Sequence, residues 1–306
     1  MNYETERIGE LQNIENVLDY GRKLERPEPL DFTDTYPEKE ILKDLKHLQL
    51  AEKRIEDKKG KMSPFEREVA DLNEKRGQAF EVLLVDQVYN GEWFGPEAMP
   101  VQTSRYDDVL RGVDMIIEFD REDEIERVAL AVDASTTSEI DHMERKIKRN
   151  IRRVTEDFWP LEVKYFESQI NDSNGNYFKG ELKGLIPIVI GADRQNADRV
   201  FDIFSELISL EKRNNKELRD ERRWLREKLS RHPIQKVFFE QAEVQLQMYK
   251  SILSEKGKDT SEVEDLLSIV SEVSRMKEDD GFSSGEEILG DKTLDNIKII
   301  SRKYLP

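Results

Sequence analysis

Three apolar runs rich in β-branched residues limit most sharply what this chain can fold into, because the sequence around them is polar and helix-forming. They occupy residues 108–119, 127–133 and 185–190. The first two, joined by the short acidic connector 120–126, read as a β-hairpin. The third reads as a further strand ending at Gly191, with Pro187 suggesting an edge position. Helix signals surround them. Ser63, Pro64 and Glu66 form a capping box with proline at the first helical position, and Tyr89-Asn90-Gly91 is a stop. Ser135-Thr-Thr-Ser-Glu139 reads as the start of a helix running through Arg153. Asp193 caps a helix with Ala197, Val200, Phe201, Phe204, Leu207 and Ile208 on one face. Residues 63–210 thus read helix, strands, helix, strand, helix, an α/β (α+β) core assigned to 62–211.

The flanks read differently. Residues 1–61 form a polar helical extension broken at Arg26-Pro-Glu-Pro29, and 212–306 form a helical region interrupted near His232-Pro233. A shorter helix opens at Ser261, and 278–291 is an acidic, Gly/Ser-containing segment that reads as flexible. Charged residues make up 38% of the chain and hydrophobic ones 37%, which fits long solvated helices around a modest core. With 49 basic and 66 acidic residues the net charge is −17, so a nucleic-acid partner requires a local basic face. There is no cysteine, which excludes a disulfide scaffold, a thiolate zinc site and a thiol nucleophile. The three histidines, His47, His142 and His232, are far apart, against a histidine metal site or a Ser-His-Asp triad. The acidic start is unlike a secretory signal, and the longest apolar stretch, 184–192, is far short of the roughly 20 residues of a membrane span. A cytoplasmic protein without membrane association is expected.

The sequence holds no P-loop, G-x-G-x-x-G or HExxH motif. Its informative residues are carboxylates. Glu81 lies one turn beyond Gly77 on the capped helix, and Gly77 costs that helix about 1 kcal/mol relative to alanine, so a close approach there is expected. Asp114 falls within the first apolar run, where an unpartnered charge is costly, and Asp133 ends the second. If those strands pair, the two aspartates converge at one end of the sheet, and a helix packed on it adds the third acid. Acids so close remain ionised together only around a cation, and an all-oxygen cluster suits Mg²⁺ or Mn²⁺. With a phosphodiester substrate, such a site is that of a metal-dependent nuclease.

Gly77-x-x-Phe80-Glu81, then Asp114 entering a hairpin, then Asp133-x-Ser135 resembles the restriction-endonuclease-like PD-(D/E)XK superfamily, and the element order over 63–210 is similar to its αβββαβ core. The resemblance covers about half the chain. It implies a Mg²⁺-dependent nuclease acting on DNA or RNA, with Glu81 as the helix acid, Asp114 as the first strand acid and Asp133 as the second metal ligand. The lysine that the family carries two residues after the second acid is Ser135 here. Some members supply that cation from the following helix, where Lys146 is the first choice and Lys148 the second. Lacking a substitute, the same fold would be a pseudo-nuclease that binds nucleic acid or protein. An α-helical interaction scaffold, with a homodimer or protein partner held through 212–275, is the reading in which the acids are incidental.

Two basic segments bear on the substrate. Arg145, Lys146, Lys148, Arg149, Arg152 and Arg153 form an acid-free cationic run directly after the candidate site, a phosphate track for nucleic acid. The second, from Lys212 to Arg231 around Trp224, is interleaved with acids and reads as a structural, ion-paired face.

Overall fold

A computed structural model describes residues 3–120, 128–156, 160–171, 175, 177–213, 215–282, 288 and 290–305, with the side chains of 3–7 left out of consideration. Three helices lead: α1 (Tyr3–Gly21), α2 (Glu38–Lys59) and α3 (Pro64–Asn90). The middle of the chain supplies β1 (Ala98–Gln102), α4 (Arg105–Arg111), β2 (Met115–Phe119), β3 (Val128–Ser135) and α5 (Ile140–Thr155). There follow the strands β4 (Glu162–Asn171), β5 (Tyr177–Lys183) and β6 (Ile186–Gly191). The helices α6 (Arg194–Arg213), α7 (Arg219–Ser230), α8 (Ile234–Glu255), α9 (Ser261–Asp280) and α10 (Lys292–Ser301) complete the chain.

Four strands form one mixed sheet in the order β1-β2-β3-β6. β1 and β2 are antiparallel, as are β2 and β3, with Met115 opposite Val132. β6 runs parallel to β3, with Val132 opposite Ile188, so α5 and the separate β4–β5 hairpin lie within the crossover. The fold is mixed α and β, mostly helical, around a small sheet. No helix among the described residues is long and apolar enough to cross a membrane.

Several expected elements are present. Ser63 and Glu66 make their reciprocal capping bonds, α3 stops at Gly91, and Pro187 does lie on an edge strand. Asp193 Oδ1 accepts from Asn196 N (3.1 Å) as α6 begins. Other elements correct the reading. Residues 108–119 are not one strand: Ser104 Oγ accepts from Asp107 N (3.1 Å) to cap α4, and Gly112, at φ 64°, ends it in the left-handed region. Only then does β2 start, so Asp114 sits just before the strand rather than within it. Ser135 ends β3 instead of opening the next helix, which begins at Ile140. Strand β1 and the β4–β5 hairpin are additions. Residues 121–127, which hold all of the hairpin connector but Asp120, and residues 283–287 and 289 of segment 278–291, lie outside the described residues.

The sheet buries both faces. One meets a large core holding Ile14 and Val17 of α1, Phe80 and Leu83 of α3, Phe204 of α6, and Phe238 and Leu246 of α8. Residues of all three sequence segments therefore share one core. The opposite face presents Ile116, Ala129 and Ala131 to Val163 and Phe166 of β4. Beyond β6 the sheet stops at α8, whose buried glutamines take the place of another strand. Gln241 accepts from Gly191 N (2.8 Å) and donates to Gly191 O (2.7 Å). Gln245 does the same for Val189 (2.9 and 2.8 Å), and Tyr249 donates to Pro187 O (2.9 Å). Side chains one helical turn apart thereby satisfy every second residue of the strand edge.

Candidate metal centre

The strand period of two sets the orientation of the aspartates. Asp114 is two residues before Ile116 and Asp133 two after Ala131, so both point to the face covered by β4. Asp114 is fixed by two bonds to the neighbouring strand: its N–H donates to Val132 O (2.9 Å), and its Oδ2 accepts from Ala134 N (2.6 Å). Helix α3 brings Glu81 to this end of the sheet, and α4 brings Asp108. Ligand oxygens of Glu81, Asp108 and Asp114 all come within 4.8 Å of one another.

Asp133 is not one of these three. Its Oδ1 accepts from Lys146 Nζ (2.5 Å) and its Oδ2 from Arg149 Nη2 (2.6 Å), so both oxygens are committed to α5. It stays close enough to raise the proton affinity of Glu81 and Asp114. The geometry brings Glu81, Asp108 and Asp114 together and puts Asp133, expected as a third ligand, beside them as the anchor of two cations. Lys146 does reach the site from the following helix, and its charge acts on Asp114. The expected close approach at Gly77 is absent: a Cβ there would meet nothing within 4 Å.

The three acids are held in tension. Burial pushes the Glu81 carboxyl up to about 8, and the charges of Asp108 and Asp133 add to it. Burial and then Glu81 hold Asp114 well above the ordinary aspartate range. No hydrogen-bond donor among the described residues reaches Glu81. Asp108 is the better compensated: Oδ2 accepts from Arg26 Nη2 (2.9 Å) and Arg105 Nη1 (3.0 Å). Arg26 also donates to Thr103 O (2.7 Å), which ties the segment between α1 and α2 to the start of α4. The centre is a carboxylate cluster bordered by Arg26, Arg105, Lys146 and Arg149. Its donor set is all oxygen, acidic and mutually repelling, which fits a divalent cation of the Mg²⁺ or Mn²⁺ kind.

Helix α5 divides its cations by face. Arg145, Lys148 and Arg152 are exposed, with Lys148 paired to Glu144 (3.2 Å), whereas Lys146, Arg149 and Arg153 lie at the same spacing on the inner face. The second basic segment is ion-paired, as in Arg226 with Glu211 (2.5 Å), and Lys228 lies over the half-exposed Trp224 ring. Asp108, Arg26 and Arg105 had no signal of their own. Asp108 lay in the run read as a strand, and Arg26 meets it across 82 positions of chain. No protein-family model, curated protein or solved structure matches this chain.

Proposed function

We propose that this chain is a metal-dependent nuclease of restriction-endonuclease-like architecture that hydrolyses phosphodiesters of DNA or RNA. The observation that carries the proposal is the convergence of Glu81, Asp108 and Asp114 within 4.8 Å, with Lys146 held on the adjoining Asp133. The order α3-β1-β2-β3-α5-β6, with α4 inserted after β1, the β4–β5 hairpin inserted after α5 and the last strand parallel to β3, supports it by its likeness to the αβββαβ sequence of that superfamily. Glu81, Asp108 and Asp114 would hold Mg²⁺ or Mn²⁺, which when bound supplies Lewis-acid neutralisation of the phosphate and activation of water. Asp133 orients the Lys146 ammonium toward the acids, where it can hold the attacking water or balance charge on the phosphate. Arg26 and Arg105 offset the charge of Asp108, and the exposed Arg145, Lys148 and Arg152 face a passing strand. The pseudo-nuclease alternative is favoured by Ser135 where the family's lysine would stand and by the net charge of −17.

Calorimetric titration of Mn²⁺, alongside incubation with single- and double-stranded DNA and RNA, tests the proposal. Wild type binds Mn²⁺ and cuts, and an Asp114→Ala, Asp133→Ala double variant does neither. Lys146→Met retains Mn²⁺ binding and cuts about 10²–10⁴-fold more slowly, the range for loss of one proton-transfer or water-positioning group. Cleavage that survives the double substitution overturns the assignment. Mn²⁺ binding with strand binding but no cleavage by any divalent metal identifies the binding module.

A further inference from the structure

The α4–β2 turn gathers three arginines in an arrangement that the acidic centre does not explain. Arg111 ends α4, and Gly112 follows it. The Arg149 guanidinium lies so close over Gly112 that a Cβ there would sit 2.7 Å from Nη1. Arg153 donates through Nη2 to the Arg111 carbonyl. Each of the three keeps a buried nitrogen without a partner: Arg111 Nε, Arg149 Nε and Arg153 Nη1. Buried donors left unpaired cost about 1–3 kcal/mol each, more when charged, so three in one cluster need a physical reason.

The charge balance points the same way. Arg149 shares Asp133 with Lys146, and Arg111 reaches Glu162 only at 3.6 Å. Arg153 makes its described bond to a carbonyl rather than a carboxylate. Burial, and then repulsion from Arg149, lowers the Arg153 guanidinium to about 10. Asp133 therefore serves two cations, Glu162 lies 3.6 Å from Arg111 and 4.0 Å from Lys183, and Arg153 has no carboxylate among its described bonds. Arg149 is 41% exposed and Arg111 33% exposed along their side chains, so the cluster opens to solvent on one side.

We propose that Arg111, Arg149 and Arg153 form an oxyanion site that receives a backbone phosphate of the nucleic-acid strand next to the one at the acidic centre. Two guanidiniums from one face of α5 and a third from the end of α4 suit a tetrahedral phosphate, whose oxygens can accept from all three. Arg149 touches Asp133 and the cluster alike, so it spans the two positions. The identification of the ligand as a strand phosphate rests on the nuclease reading. The demand for an oxyanion rests on the unpaired donors.

The test is run in EDTA, so that it does not depend on the metal centre. Its first probe is inorganic phosphate, with chloride at matched ionic strength as the reference. Wild type gains Tm with phosphate by mass action, and Arg153→Gln and Arg111→Gln each lose most of that gain. Arg111 is one-third exposed, so its variant keeps the test valid should Arg153→Gln fold poorly. The second probe is a short single-stranded DNA. Each substitution should flatten the dependence of log affinity on log salt by about 0.7, the value for one phosphate contact on a single strand. If the double variant matches wild type with both probes, the site is overturned. If the phosphate effect is lost while strand binding and its salt slope are unchanged, the strand assignment is overturned and a free-oxyanion site stands. Failure of the nuclease reading shows up separately, in the Mn²⁺ titration.

Discussion

Asp114→Asn should abolish metal binding and at the same time make the metal-free protein more stable. Both effects come from one fact, the crowding of Asp114, Glu81 and Asp108 within 4.8 Å. Asn keeps an oxygen to accept from Ala134 N, so the local bond that fixes the side chain survives. What disappears is a charge that burial and Glu81 resist. Relief of that repulsion should raise the stability of the metal-free protein. The loss of Mn²⁺ affinity should exceed about 100-fold, the upper end of what removing a mere outer partner costs. Urea unfolding in EDTA and in Mn²⁺ reads both: the variant unfolds later than wild type without metal and is not shifted by adding it. A destabilised apo variant would show that the acids are not in tension.

The same crowding fixes a pH dependence. The folded Glu81 carboxyl is raised to about 8 from an ordinary 4.5. A raised carboxyl contributes stability that is complete below about pH 4.5, where folded and unfolded chains are both protonated. That contribution is lost as pH climbs through about 8, because the unfolded chain gives up the proton first. The wild-type apoprotein should lose this stability across that window, and Asp114→Asn should flatten the slope by removing a second buried carboxyl whose proton affinity is raised in the folded chain. Stabilisation by Mn²⁺ runs the opposite way and grows with pH, because binding displaces those protons.

The largest structural effect should come from Gln245→Leu. By volume and hydrophobicity the substitution favours a core position, and Gln245 is fully buried. The hydrogen bonds reverse the sign. Gln245 is the recorded partner of both Val189 N and Val189 O on the free edge of β6, and it also donates to Gln241 O (2.8 Å). Leucine leaves two buried backbone groups of Val189 unpaired at about 1–3 kcal/mol each, a total of about 2–6 kcal/mol. That is a large share of the 5–15 kcal/mol by which domains are stable. Urea denaturation should show the midpoint fall by a corresponding amount, and a loss below about 1 kcal/mol would mean that water replaces the glutamine.

Strand β3 could be read because its run from Val128 to Val132 is continuously apolar, and the capped start of α3 because Ser63, Pro64 and Glu66 act locally. Strand β4 was hidden by its bulge. A register shift between Val163 and Phe166 buries Tyr165 and Phe166 in succession, which erases the alternation a half-buried strand would display. Strand β1 is five residues with Pro100 in the middle, tolerated because it lies on the edge. Val109 and Leu110 of α4 carried the β-like composition that extended β2 too far. The true boundary was set by Ser104 and by the left-handed Gly112. At the site, Glu81 and Asp114 stand out against their local surroundings, and Lys146 is the first choice of the two lysines on the following helix. Asp108 did not stand out, because its role depends on the end of α4 meeting α3, a long-range fact that no spacing encodes.

The scatter of the centre along the chain carries a kinetic consequence. Its groups come from positions 26, 81, 105–114, 133 and 146–153, and the Arg26 contact alone closes 82 positions. Contacts of such separation form late, after the loop-closure entropy of the intervening chain has been met. A partly synthesised or partly folded chain holds the acids apart, so metal capture by Glu81, Asp108 and Asp114 is expected only once the long-range topology is complete. Recovery of Mn²⁺ binding during refolding would then lag behind helix formation and serve as a clock for the last step of assembly. A cell making this protein would have the carboxylate cluster appear only at the end of folding.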